Sequence, residues 1–324
     1  MRFTTVAAIT ALVGAAGTSA QVASPMDLLN YVSQLLTPSC RTTLTGLVAG
    51  NSSIAQCLNV QGLYPVLMST NGSVIPEVNS YLQSTCAMPG CSNVTIQNTT
   101  QQVLSACSTD LSNFGLPQDV LVTAMNAIPT ARKVLCLSTN STQLSNSTTI
   151  GYNSTTNSTL CPTALLDDFQ SYLGVPLSTR YIQSIILGGN ATAYRTITNI
   201  ANNKTVAAKF ACNDCVHAAV DVVLEDYPQL ENATFSLGNS PLVSNLTSTN
   251  YTVSEFYQGL CGVPVGSNVS LPASINETAY GTNLTASATK VTAWASATAG
   301  TMTSSIGVAS RSAQQAKKRF VRWD

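Results

Sequence analysis

Apolar residues recur every three to four positions over most of the chain up to residue 260, which is the spacing of one face of an α-helix. Ser24-Pro25 provides a helix start, because serine caps a helix N-terminus and proline suits the first turn. No segment shows the sustained alternation of apolar and polar residues that marks a β-strand. The pattern therefore predicts an all-α fold. The first predicted helix carries its apolar residues at Met26, Leu28, Leu29, Val32, Leu35 and Leu36.

Two helical regions are predicted, and a polar stretch separates them. This stretch, STNSTQLSNSTTIGYNSTTNST, follows Leu137 and has the low complexity of a linker. From about Gly262 the chain is again rich in Ser, Thr, Ala and Asn, which predicts a disordered tail. The predicted division is a signal peptide at 1–20, a six-cysteine helical domain at 21–138, a glycosylated linker at 139–160, a four-cysteine helical domain at 161–262 and a tail at 263–324.

The first twenty residues have the features of a secretory signal peptide. Arg2 supplies a positive charge, Val6 to Val13 is a short apolar run, and small residues precede a cleavage site before Gln21. The apolar run is too short to span a bilayer, and no later stretch is long and apolar enough to do so. We therefore expect an extracellular protein, secreted or associated with a cell wall, without a transmembrane segment.

Acceptor motifs for N-glycosylation agree with export. Sixteen Asn-X-Ser/Thr motifs are spread over the chain, which favours a eukaryotic secretory glycoprotein. A glycan cannot be buried, so each modified asparagine is expected at the surface. The motifs begin at Asn51, Asn71, Asn93, Asn98, Asn140, Asn146, Asn153, Asn157, Asn190, Asn203, Asn232, Asn245, Asn250, Asn268, Asn276 and Asn283.

Composition excludes two classes of partner. Charged residues make up 9% of the chain, and its formal net charge is zero. Such a chain lacks the basic surface that binds nucleic acid, and it lacks a polybasic face for anionic membranes. Its 44% of hydrophobic residues is enough for packed cores, which excludes a wholly disordered chain.

Ten cysteines are the strongest feature of the sequence. In an exported chain, six cysteines among short helices predict a small domain held by three disulfides, although six cysteines allow fifteen pairings. The gaps between them are sixteen, twenty-eight, four, fifteen and twenty-eight residues. These six are Cys40, Cys57, Cys86, Cys91, Cys107 and Cys136.

The order and spacing of these six cysteines resemble the elicitin family, small secreted all-helical proteins that carry sterols and other lipids in an internal apolar cavity. Tyr64, just before Leu67-Met68, and Tyr81, just before Cys86, match tyrosines of that family. The match covers about a third of the chain, and several gaps differ by a few residues. The resemblance implies the pairs Cys40–Cys107, Cys57–Cys91 and Cys86–Cys136.

The remaining four cysteines can be interpreted as the same pattern with one bridge deleted. In this interpretation the counterparts of Cys40 and Cys107, which are proposed partners, are both absent. The repeat then predicts a degenerate second elicitin-like module with the bridges Cys161–Cys215 and Cys212–Cys261. The rival interpretation of Cys212-X-X-Cys215 is a redox or zinc motif, but no βαβ unit is evident, and the nearby ligand candidates are only Asp214 and His217.

Catalytic chemistry finds little support in the sequence. His217 is the only histidine, and we interpret it as a helix-surface residue just inside a turn. The doublets Asp167-Asp168 and Glu225-Asp226 are neighbours in sequence, so their side chains point apart on a helix and do not form an acid/base pair. We expect no enzyme activity, no metal and no cofactor.

Two functions are compatible with these features. In the first, the protein binds a sterol or fatty acid in a helical cavity that the disulfides keep open. In the second, it is a structural or interaction glycoprotein of a fungal-type cell wall, without a small-molecule ligand, whose partner is a wall polysaccharide or a surface receptor. The cavity of the first function is predicted to be lined by Tyr64, Leu67, Met68, Tyr81, Leu82, Val120, Leu121 and Met125.

The end of the chain carries two further expectations. Many elicitin-like proteins have a Ser/Thr-rich stalk before a lipid-anchor signal, which requires a terminal hydrophobic tail. This sequence ends in AQQAKKRFVRWD, so we expect no anchor. Lys317-Lys318-Arg319 is interpreted as a solvated basic tail, with a processing or wall-binding cluster as the alternative.

Overall fold

A computed structural model describes residues 34–69, 72–139, 159–186, 203–236 and 250–278, with a few residues between 192 and 199 and the pair 302–303. Four predicted features lie outside the described residues: the signal peptide, most of the first predicted helix, the linker at 140–158 and the basic cluster near the end. Within residues 34–135 the α-helices are α1 (Pro38–Val48), α2 (Ser53–Cys57), α3 (Tyr64–Met68), α4 (Ile75–Ala87), α5 (Asn93–Asn113), α6 (Gln118–Asn126) and α7 (Ile128–Leu135), with a 3₁₀ turn at Val60–Leu63.

The second part of the described chain is also mainly helical. A 3₁₀ turn covers Pro228–Leu230. The helices are α8 (Cys161–Leu173), α9 (Thr179–Ile186), α10 (Lys204–Ala211), α11 (Asp214–Asp226) and α12 (Val253–Cys261), and the strands of the molecule are β1 (Leu137–Thr139), β2 (Thr159–Leu160), β3 (Thr234–Ser236), β4 (Tyr251–Thr252), β5 (Ile275–Glu277) and β6 (Met302–Thr303).

Helix ends follow local sequence signals. The Ser92 side chain accepts a hydrogen bond from the Thr95 backbone N–H and caps the long helix α5. Thr252 and Glu255 form a reciprocal capping box at the start of α12. Gly174 and Gly262 end α8 and α12 in the left-handed region, at φ 67° and 74°, where glycine carries no steric penalty.

An all-α fold was predicted; the described residues are mainly helical, as expected, but they also form short strands. Strand β1 lies between β2 and β5, and both pairings are antiparallel. A second small sheet has the order β4-β3-β6. The strands are two or three residues long, which is too short for an alternating pattern to be visible in the sequence.

All ten cysteines are paired, and the pairing is the one predicted. No bridge links the six-cysteine part to the four-cysteine part. Cys40 and Cys107 are buried against Val103 where α1 packs on α5, so one bridge lies inside a hydrophobic core. The bridges are Cys40–Cys107, Cys57–Cys91, Cys86–Cys136, Cys161–Cys215 and Cys212–Cys261.

One hydrophobic core joins the two parts. Leu137, which is fully buried, packs with Cys161, Cys215, Val222 and Ile275. Leu137 belongs to β1, whereas the other four come from α8, α11 and β5. The end of the six-cysteine part is therefore the central strand of a sheet whose neighbours flank the four-cysteine domain in sequence: β2 directly precedes Cys161, and β5 follows Cys261.

Polar contacts reinforce this junction along α7 and α11. Asp226 accepts hydrogen bonds from Thr130 Oγ1 at 2.6 Å and from Lys133 Nζ at 2.7 Å. Tyr227 Oη donates to the Asn126 carbonyl at 3.2 Å. Both oxygens of the Asp226 carboxylate thus contact the six-cysteine part.

The packed structure extends further than the predicted domain end at residue 262. Val265 and Ile275 are buried, and Thr278 Oγ1 donates to the Cys136 carbonyl at 2.6 Å. The predicted tail therefore begins too early, because isolated apolar residues in a Ser/Thr-rich segment form no visible period. None of the helices in the described ranges is long and apolar enough to cross a bilayer.

Candidate functional site

The predicted lining residues on α3 lie at the surface. Tyr64, Leu67 and Met68 are 57%, 38% and 42% exposed. They follow one another within a helix of five residues, and Pro65 between them is also exposed. Together they form an apolar surface patch, which we call the α3 patch.

The two predicted residues on α4 lie deeper. Leu82 is buried, and Tyr81 is half-buried with its Oη donating to the Leu58 carbonyl at 2.9 Å. Helix α4 packs beside α3, so these two side chains stand next to the part of the molecule that carries the α3 patch.

The three predicted residues on α6 form a separate group. Helix α6 packs chiefly against α5 and α7. Leu121 contacts the core around Cys40 and Cys107, Val120 is 48% exposed, and Met125 is half-buried. The structure thus places the eight predicted residues in two groups, one on α3 and α4 and one on α6.

A different feature is a groove between α1 and α5. Its volume is about 720 Å³, and it opens to solvent. None of its lining residues carries a charge, and most bear a hydroxyl or an amide. The groove, called the α1–α5 groove below, is lined by Thr42, Thr43, Gly46 and Leu47 from α1, by Ser52, and by Asn98, Gln101, Gln102, Ser105 and Ala106 from α5.

Sequence reasoning missed this groove. The α5 residues at 98, 101, 102, 105 and 106 have the spacing of one helix face, but the face is polar and resembles an ordinary solvated surface. A usable signal was the lack of charge: between Arg41 and Asp110, Glu77 is the only charged residue.

The asparagines of the glycosylation motifs are exposed wherever the structure describes them. In the same ranges Asn79, which belongs to no such motif, is buried and accepts a hydrogen bond from Thr163 Oγ1 at 3.0 Å. The positions can therefore carry bulky sugars without loss of packing. The eight described acceptors are Asn51, Asn93, Asn98, Asn203, Asn232, Asn250, Asn268 and Asn276.

His217 is partly covered, which corrects the prediction of a helix-surface residue. Its Nε2 lies 3.0 Å from the Pro264 carbonyl and 3.3 Å from Asp221 Oδ2. The other oxygen of Asp221 accepts a hydrogen bond from the Gly266 N–H at 3.2 Å. The pair thus fastens the segment at 262–267 onto α11, where the sequence predicted only a tail.

Burial is the main cause of the shifted pKa values of Asp221 and Tyr257. Burial raises the pKa of Asp221, whereas the Gly266 N–H and His217 act in the opposite direction. Burial, with smaller effects from Asp221 and Asp214, raises the pKa of Tyr257 to about 12. Tyr257 Oη donates to the Ala211 carbonyl at 2.9 Å. The polar contacts of His217 and Tyr257 with backbone carbonyls and a carboxylate thus join α11 and α12 to neighbouring segments.

The cysteine motif at 212–215 forms no bridge of its own. Cys212 is bonded to Cys261 and Cys215 to Cys161, so both sulfurs belong to structural bridges. Within the described ranges, no group of three or more His, Cys, Asp or Glu residues is placed to hold a metal ion.

Comparison with known proteins gives no relative. No protein-family model, no curated protein and no solved structure matches the chain. Function must therefore be argued from the surfaces and bridges described above.

Proposed function

We propose that this chain is a secreted, non-enzymatic glycoprotein that associates with neutral polysaccharide of a fungal-type cell wall. The observation that carries the proposal is the surface chemistry of the six-cysteine part. Residues 42–109 include a single charged residue, Glu77, and their other polar side chains are mainly hydroxyls and amides.

A surface of this kind suits a neutral, hydroxyl-rich partner. When an uncharged sugar covers a charged side chain, the charge loses its water and gains no ion of opposite sign. This desolvation opposes binding. A surface of hydroxyls and amides exchanges hydrogen bonds to water for hydrogen bonds to sugar at little net cost. The same surface offers no attraction to nucleic acid or to anionic lipid.

Export is supported by the cysteines and by the glycosylation motifs. Five disulfides with no unpaired cysteine are typical of proteins that fold in an oxidising compartment. The exposure of all eight described acceptor asparagines supports modification in a secretory pathway.

Binding to insoluble polysaccharide tests the proposal. The secreted protein would be sedimented with a neutral β-glucan and with an anionic polysaccharide, at about 50 mM and at about 1 M salt. We expect it to sediment with the neutral polymer equally at both salt concentrations. Binding to the anionic polymer alone, or binding lost at high salt, would show that charge rather than the neutral surface selects the partner.

A second candidate is an apolar ligand, a sterol or fatty acid, that contacts the α3 patch. The pairing Cys40–Cys107, Cys57–Cys91 and Cys86–Cys136 supports the resemblance to that family, which remains a proposal. The specific observation in favour of a ligand is the α3 patch, where three large apolar side chains are exposed side by side.

Displacement of a fluorescent sterol separates the two candidates. If the α3 patch binds sterol, the double variant Leu67→Ser/Met68→Ser should weaken uptake at least tenfold, whereas Val94→Ser, on an equally apolar but separate exposed residue, should leave it unchanged. No saturable uptake of either a sterol or a fatty acid by the deglycosylated protein would eliminate the ligand candidate and leave the wall glycoprotein.

A further inference from the structure

The α1–α5 groove stands beside two glycosylation motifs. Asn98 is itself a lining residue, and Ser52, on the opposite side, directly follows the acceptor Asn51. Asn98 is exposed and occupies the first position of the polar face of α5. From Asn98 that face runs to Ala106, about 12 Å along the helix axis at the usual rise per residue. A sugar attached to Asn98 therefore starts inside the groove.

The folded structure also fixes when such a sugar is added. Thr100, the hydroxyl residue of the Asn98 motif, is buried, and its Oγ1 donates to the Ile96 carbonyl at 2.8 Å. This hydroxyl is inaccessible once α5 has formed. The modification must precede folding of the helix, so the groove would form around a glycan that is already present.

We propose that the first sugar residues of an N-glycan on Asn98 lie along the α1–α5 groove as a fixed part of the folded protein. The chemistry of the lining fits N-acetylglucosamine. The Gln101 and Gln102 amides and the Thr42 and Thr43 hydroxyls can bond to sugar hydroxyls and to the acetamido group. Leu47 provides an apolar contact for the acetyl methyl group. No charge loses its hydration on coverage.

Gly46 gives the groove room for this occupant. No neighbouring side chain lies within 4 Å of where a Cβ at Gly46 would sit, so a larger residue there would project into open space. Gly46 is inside α1, where glycine is an unfavourable helix residue. A glycine at this position keeps the groove open at the expense of helix stability.

This inference rests on the proposed export of the chain, and peptide mass spectrometry tests the two separately. If no acceptor asparagine carries a glycan, both the export proposal and this inference fail. If other acceptors are modified and Asn98 is not, only this inference fails. We expect Asn98 to be modified in the secreted protein.

Contact between sugar and protein is the decisive readout. With isotope-labelled glycans, the acetyl methyl group of the sugar on Asn98 should show NMR contacts to Leu47, and Gly46→Tyr should shift that methyl resonance while leaving the sugar on Asn93 unmoved. Asn93 is the matched control, because it is exposed on the same helix and does not line the groove. Absence of contacts to Leu47 would overturn the inference.

Stability gives an independent test. Asn98→Gln should lower the Tm of the glycoprotein by about 2–4 °C, whereas Asn93→Gln should change it by less than half as much. Trimming every glycan to its first sugar should preserve most of this difference, because the first sugar makes the contacts. Two results would contradict a groove already filled by the Asn98 glycan. One is an equal Tm shift for the two variants, and the other is binding of free chitobiose in the groove of the untreated glycoprotein.

Discussion

The six-cysteine and four-cysteine parts are built by different means from similar helices. The first has three disulfides, and its residues 42–109 are almost free of charge. The second has two disulfides, and it buries a carboxylate, Asp221, against the only histidine. Both parts thus use disulfides to fix short helices that have small cores, and they differ in the surroundings of their buried carboxylates.

Buried aspartates make the contrast concrete. Asp110, on α5, accepts from the Thr37 N–H at 2.9 Å and from Thr37 Oγ1 at 2.6 Å, so both of its oxygens are bonded. Asp221 has one backbone donor, and its Oδ2 lacks a well-aligned hydrogen bond. The hydrogen bonds from Thr37 lower the pKa of Asp110, whereas burial raises that of Asp221.

The largest expected effect is the loss of a core disulfide. The double variant Cys40→Ala/Cys107→Ala releases a loop of 67 residues, and we expect the free energy of unfolding to fall by about 4 kcal/mol in the chain-entropy model. Cys212→Ala/Cys261→Ala is the matched variant of the other part, with a loop of 49 residues and two half-buried cysteines.

The two loops differ little in closure entropy. The Cys40→Ala/Cys107→Ala variant should nevertheless lose about 1 kcal/mol more in free energy of unfolding, because it leaves a cavity in the core. Urea unfolding of the two proteins measures the difference. An equal or greater loss in the four-cysteine variant would show that core position does not distinguish the two bridges.

The next effect concerns the core shared by the two parts. Leu137→Ala should reduce the free energy of unfolding by about 3 kcal/mol, because Leu137 is fully buried among residues of α8, α11 and β5. Leu135→Ala, two residues away and 40% exposed, should cost less than about 1 kcal/mol. Similar losses in the two variants by urea unfolding would mean that this core contributes little to stability.

A smaller effect is expected at the polar contact between α7 and α11. Asp226→Ala removes hydrogen bonds to Thr130 and Lys133 and should lower the free energy of unfolding by about 1–2 kcal/mol. The loss should not be larger, because the Lys133 side chain is a third exposed and solvent partly screens the ion pair. Glu225→Ala, at the exposed neighbouring position, should change stability by less than about 0.5 kcal/mol. Calorimetry on the pair of variants checks this, and a cost at Glu225 equal to that at Asp226 would contradict it.

The smallest effects depend on pH and have opposite signs in the two parts. The lowered pKa of Asp110 gives stability that is present above the ordinary aspartate value of 3.8 and is lost as pH falls through the folded pKa. Asp110→Asn should therefore destabilise the protein at neutral pH, and this deficit should disappear in acid. Asp221 has a raised pKa, so its ionised form destabilises the fold at neutral pH. This destabilisation is relieved as pH falls through the folded pKa towards 3.8.

Asp221→Asn should consequently be more favourable, relative to the parent protein, at neutral pH than in acid. The measurement is the Tm of each variant minus the Tm of the parent protein, as a function of pH. At neutral pH we expect a negative difference for Asp110→Asn and a positive one for Asp221→Asn, and both should approach zero in acid. Differences of the same sign would show that hydrogen bonding and burial do not separate these two carboxylates.

Much of this fold follows from the sequence, for identifiable reasons. Helix periods are local, so α4, which begins next to Pro76, and α11, which follows Cys212-Asn213, were predictable from caps and apolar spacing. The disulfide pairs followed from cysteine order through the family resemblance and its repeat. Local spacing cannot tell whether another element covers a helix face. Tyr64 and Val120 are exposed although they were predicted to line a cavity.

The remaining features depend on contacts between distant residues. Strand β1 has three residues and acquires its partners from positions 159–160 and 275–277. Val265 is isolated in a polar segment, so no period marks it as a core residue. The α1–α5 groove needs two polar faces to meet, and neither face differs from a solvated surface in the sequence alone.

The central claim is that the two parts form one packed unit without a covalent bridge between them. Replacing residues 146–152 with a protease site and cutting there leaves all five disulfides intact. The halves are then joined only by noncovalent contacts, among them the core around Leu137, the pairing of β1 and the hydrogen bonds of Asp226. The account predicts that the cut protein elutes at the size of the whole chain under native, non-reducing conditions and separates in concentrated guanidinium. Two folded fragments that separate in native buffer would contradict it.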